Sequence, residues 1–73
     1  MPRKLSEYTT NQSGVIQKIL DADVAERLVE FGFLPGTVFS VVSRAPFNGP
    51  LCVQIDNNRI ALRLKEAAFV LVE

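Results

Sequence analysis

Seventy-three residues, with eight basic side chains balanced by eight acidic ones and no histidine, leave room for one small folded unit over 1–73. A unit of this size buries only about 60% of the surface its unfolded chain exposes, so its core is thin. Zero net charge disfavours generic nucleic-acid binding, which needs a basic excess, and the single cysteine, Cys52, excludes an intramolecular disulfide and fits a reducing compartment.

The N-terminal "MPRKLSEYTT" carries Arg3 and Lys4 but no apolar stretch behind them, so it does not read as a signal peptide. It is polar and turn-like. "SGVIQKIL" (13–20) follows as a first strand with imperfect alternation. In "DADVAERLVEFG", Asp23 and Glu26 have the spacing of a capping box with Asp23 as cap. Val24, Leu28 and Phe31 fall at i, i+4 and i+7, the apolar stripe of a short helix. Gly32 is placed to take the left-handed conformation that ends such a helix, with Phe33 folding back on Leu28. "LPGT" suits a type II turn, with Pro35 fixing φ and Gly36 taking the positive φ.

The remainder reads as β structure. "TVFSVVSR" is β-branched and strand-like. "APFNGP" is a loop with two prolines and an Asn-Gly pair. "LCVQID" alternates, with Leu51, Val53 and Ile55 on one face. Asn57 and Asn58 can fill the two positive-φ sites of a hairpin turn. "RIALRL" alternates again, directing Ile60, Leu62 and Leu64 inward and Arg59, Ala61 and Arg63 outward. "KEAA" is one helical turn and "FVLVE" a closing strand, far too short to span a membrane. The whole is mainly β: a small SH3-like barrel of about five strands, with a short α-helix inserted after the first strand.

Nothing in this sequence has the form of a catalytic motif: there is no histidine, no nucleophile elbow and no glycine-rich phosphate loop. The acids Asp21, Asp23, Glu26 and Glu30 are explained by a helix start and its solvated face. Cys52 is the one soft metal ligand besides the Met1 thioether and reads as a small strand residue on the outer face. Arg59, Arg63 and Lys65 follow from strand alternation as a solvated face. More informative are the apolar residues in expected loops: Phe33, Leu34, Pro35, Pro46, Phe47 and Pro50. Each either plugs an end of the barrel or marks a partner site.

The ordered set of Arg27-Leu28 before "EFGFLPG", Ala45-Pro46, Gly49-Pro50, "IALR" and Glu66-Ala67 before the last apolar strand resembles the FeoA family. These are small cytoplasmic partner proteins of bacterial ferrous iron transport. "QSGVIQKI" fits as well, so the resemblance covers nearly the whole chain. Asn11 and one of Asn57 or Asn58 stand where the family often has glycine, and Phe31 and Phe33 replace leucines. Asn tolerates positive φ, so those turns are expected to survive.

The resemblance implies the same SH3-like barrel and a cytoplasmic accessory role in Fe(II) uptake. Its implied partner is a FeoB-type permease, contacted at its cytoplasmic GTP-binding region, with no nucleic acid and no membrane insertion. The partner surface is expected at Phe33, Leu34, Pro35, Pro46 and Phe47. No cofactor is expected, weak transition-metal binding being the exception left open. The alternative is a metal-binding or iron-sensing module related to the C-terminal domain of iron-dependent repressors. A third idea, an arginine supplied to the permease's GTPase site, would draw on Arg44, Arg59 or Arg63.

Overall fold

The strand that organises the molecule is β2, Ser13–Ile19. In the computed structural model, which describes residues 3–73, its first half pairs antiparallel with β3 (Val38–Arg44), and its second half pairs with β6 (Val70–Val72). A register shift between Ile16 and Lys18 lies at the changeover. Such a bulge adds twist and bends the strand. Gly14 sits where the two partners converge: a Cβ there would lie 2.8 Å from Val72 Cγ1 and 3.3 Å from the Phe39 ring. β4 (Leu51–Ile55) and β5 (Asn58–Leu62) complete a meander on the far side of β3.

Before β2, a two-residue strand, β1 (Arg3–Lys4), pairs with β6, and a 3₁₀ turn covers Leu5–Glu7. The sheet order is therefore β1-β6-β2-β3-β4-β5, six strands among the described residues where about five were expected. The end strands β1 and β5 are not paired with each other, so hydrogen bonds do not close the barrel. The helix α1 (Ala22–Val29) follows β2 and packs beside it. Its Arg27 is ion-paired with Glu66, just beyond β5, and its exit at Gly32 abuts Ile55, the partner of Asn58 at the start of β5.

The cap of α1 is Asp21 rather than Asp23. Asp21 keeps an extended backbone, and its Oδ1 accepts the N–H groups of Asp23 at 2.9 Å and Val24 at 3.1 Å. Asp23 is already inside the first turn, where its charge complements the helix dipole. At the other end Gly32 has φ +88°. Phe33 N–H donates to Leu28 O at 3.2 Å and Gly32 N–H to Val29 O at 3.1 Å, the two bonds of a Schellman ending. Leu28 and Phe33 are both fully buried, and Val24 packs half-buried against the core. Phe31 is left 39% exposed, because the glycine turn hands the core position to Phe33. The turn at Leu34–Thr37 follows, with Gly36 at φ +90° and Thr37 N–H donating to Leu34 O at 3.0 Å.

Two further boundaries differ from the expected ones. Ile55 pairs with Asn58, so the β4–β5 turn is Asp56-Asn57, with the positive φ (+53°) at Asp56 instead of at Asn57 and Asn58. Leu64 does not continue β5 inward; it opens the short helix α2 (Leu64–Ala67) and is half-buried. The chain turns there because the Glu66 carboxylate accepts the Arg63 N–H at 3.2 Å.

The core joins alternate residues of the strands to both helices: Ile16, Phe39, Val41, Leu51, Val53, Ile55, Leu62, Val70 and Val72 with Leu28, Phe33 and Ala67. Leu5 and Tyr8, from the segment read as polar and turn-like, belong to it too. Tyr8 meets Phe39 edge to face at 5.4 Å. The Arg44 guanidinium holds this segment down by donating to Ser6 O at 2.8 Å and Tyr8 O at 2.7 Å.

Candidate interaction site

Leu28 points one face of α1 into the core. A second stripe of the same helix, Ala22, Ala25, Glu26 and Val29, lines an open groove instead. The spacing i, i+3, i+4, i+7 puts these four on one side of a helix. The opposite wall comes from Lys18 and Ile19 at the end of β2 and from Phe33, Leu34 and Pro35 after the helix exit. The groove encloses about 490 Å³. Lys18 and Glu26 are its charged residues; the rest of the lining is apolar.

The small alanines let the helix backbone approach an occupant closely. Val29 (44% exposed) and Leu34 (47%) supply apolar surface that nothing in the fold covers. The Schellman ending and the type II turn hold the wall in place. The turn is also tied to β2, since Gly36 N–H donates to Ile16 O at 2.7 Å and Ile16 N–H to Thr37 O at 2.9 Å.

The five residues expected to form a partner surface are not brought together. Phe33 is 1% exposed and forms part of the groove's interior, while Leu34 and Pro35 stand exposed. Pro46 and Phe47 lie beyond the other end of β3, on the β3–β4 hairpin tip. Seven strand residues separate the two groups, a distance on the order of 20 Å. Ala22, Ala25 and Val29 were missed because the Val24–Leu28 stripe accounted for the helix. Their own i, i+3, i+7 spacing was the available signal.

Of the other candidates, Arg44 and Arg59 are absorbed by the fold. Arg44 is turned inward onto the two carbonyls, and Arg59 Nε donates to Gln54 Oε1 at 2.9 Å. Arg63 is exposed at the start of α2. Cys52 is half-buried within β4. Among the described residues no three of His, Cys, Asp and Glu come together as metal ligands; Met1 lies outside those residues. No helix among them is long and apolar enough to cross a membrane.

The FeoA domain family model matches residues 3–73. The chain belongs to the FeoA family. A Porphyromonas gingivalis (strain W83) protein, a fusion of Fe(2+) transport protein A with the Fe(2+) transporter FeoB, is 34% identical over 71 residues. That alignment takes in 96% of this chain but only 8% of the relative, so the chain corresponds to a small part of the fusion. The crystal structure of Stenotrophomonas maltophilia FeoA complexed with zinc, a prokaryotic SH3-domain protein, superposes with a TM-score of 0.85 at 36% identity, covering 97% of this chain and 89% of that one. The FeoA fold here is thus mainly β and SH3-like, as expected, with its barrel left unclosed. A manganese-dependent transcriptional repressor superposes at a TM-score of 0.86 over 97% of this chain and 40% of its own, but at 23% identity it shares the fold alone.

Proposed function

We propose that this FeoA-family chain is a non-enzymatic accessory protein of ferrous iron uptake, acting in the cytoplasm by docking on a FeoB-type transporter at its GTP-binding region. The observation that carries the reading is the P. gingivalis relative, in which an FeoA-like segment and the transporter are one polypeptide. Fusion keeps two modules at high effective concentration, which is useful when they must touch. The groove beside α1 supplies a surface suited to that contact. It is concave and largely apolar, with Leu34 and Pro35 exposed on a rigid turn. An apolar segment of the transporter is the occupant we assign to it.

The test is titration of the isotopically labelled chain with the transporter's purified cytoplasmic region, with and without a GTP analogue. Amide shifts should concentrate at Ala25, Val29 and Leu34. Leu34→Asp should weaken binding at least tenfold with its melting temperature unchanged, because the side chain is half-exposed and contributes little to the core. Absence of binding in every nucleotide state would overturn the reading.

A further inference from the structure

The β3–β4 hairpin ends in a feature the fold itself does not use. Phe47 is 99% exposed. It also has φ +59°, followed by Asn48 at φ +60°, and Gly49 N–H donates to Pro46 O at 3.1 Å. This is the backbone of a type I′ turn, whose first central position favours Asn, Asp or Gly. A bulky aromatic there is an outlier that costs the chain stability, and full exposure means that no packing within the chain offsets the cost.

The tip is also rigid. Pro46 and Pro50 fix φ on either side of it, and Ala45 N–H donates to Pro50 O at 3.0 Å. Gly49 is pressed against Ala45, where an added Cβ would lie 2.7 Å from the Ala45 Cβ. A strained, fully solvated aromatic on a restrained backbone turn is poor design for a monomer and good design for a binding anchor, since the backbone's ordering cost is met before the partner arrives.

We infer that Phe47 is a pre-organised anchor that inserts into an apolar pocket on the protein partner, forming a second contact about 20 Å from the α1 groove. The partner's identity rests on the docking reading above. A protein pocket fits the tip better than a lipid surface. Residues 45–50 carry no charge, and the nearest cation along the chain, Arg44, is turned back onto Ser6 and Tyr8. Membrane-surface segments rely on free basic residues beside the inserted apolar group.

The test exploits the absence of tryptophan from the chain. In the Phe47→Trp variant the new indole should emit as a water-exposed group. It should shift to the blue on adding the transporter's cytoplasmic region, read as a difference against the wild-type mixture. Phe47→Asn, which keeps the turn and relieves its strain, should melt several degrees higher than wild type yet bind at least tenfold more weakly.

Wild-type binding that Leu34→Asp weakens and Phe47→Asn leaves unchanged would overturn the anchor and spare the groove. Loss of wild-type binding altogether would overturn both. A blue shift with vesicles of phosphatidylglycerol and phosphatidylcholine, without the partner, would replace the protein pocket by a membrane. A Phe47→Asn variant that melts lower than wild type would show that the ring serves the fold.

Discussion

Gly14 shows how one side-chain hydrogen can decide the packing of this protein. Its missing Cβ leaves room for Val72 Cγ1 and the edge of Phe39, both fully buried and both on strands hydrogen-bonded to β2. Val72 is β-branched and stiff about χ1, so neither neighbour yields cheaply. Gly14→Ala is expected to destabilise the fold by about 1–3 kcal/mol, the usual range for overpacking a tight core; urea unfolding measures it. A loss under a few tenths would mean that β6 can move away from β2. Nothing about Gly14 in the sequence announced this. "SGVIQKIL" shows that a strand is present, but the two partners that crowd its glycine come from positions 39 and 72, and only the folded chain brings them there.

At the scale of elements, local chemistry was legible wherever it stayed local. Gly32 ends α1, Gly36 makes the following turn, and Leu51, Val53 and Ile55 face inward, as their spacing predicts. The sequence is ambiguous where two neighbouring residues can do the same job. Asp21 and Asp23 are both good N-caps, and what decides between them is where β2 releases the chain. The two aspartates now make opposite predictions. Asp21→Ala removes the acceptor of two backbone N–H groups and should cost about 1 kcal/mol. Asp23→Ala removes a dipole partner and should cost only a few tenths. Thermal unfolding of the pair distinguishes them, and equal losses would contradict the cap assignment.

The N-terminal segment hides its core residues for a different reason. Leu5 and Tyr8 are isolated apolar residues in a polar stretch, too few to show a period, and their burial depends on β6 and on the distant Arg44. The groove was half legible: Leu34 and Pro35 stood out as exposed turn residues, while the Ala22–Ala25–Val29 wall was masked by a stronger stripe on the same helix.

For the molecule as a whole, net charge is zero and the groove carries one Lys and one Glu among mostly apolar residues. Docking through such a surface depends on desolvation of carbon rather than on long-range attraction. Affinity for the transporter's cytoplasmic region should therefore change less than threefold between 50 and 500 mM salt, roughly 10-fold in ionic strength and about threefold in screening length. Isothermal titration across that range checks it. A steep decline would move the contact to the exposed arginines instead.

The pairing of β1 with β6 has a topological consequence. Arg3 stands opposite Val72, so the ends of the described segment lie side by side, about 5 Å apart between α-carbons. A few glycines could close the chain into a ring, and new ends could then be cut elsewhere. The Asp56-Asn57 turn is a suitable place, being exposed and at the other end of β4 from the Phe47 tip. Such a circular permutant should fold. The same adjacency means that a module joined covalently at either end would leave from one spot on this protein, so gene fusion in either order would present the barrel to its neighbour from the same side.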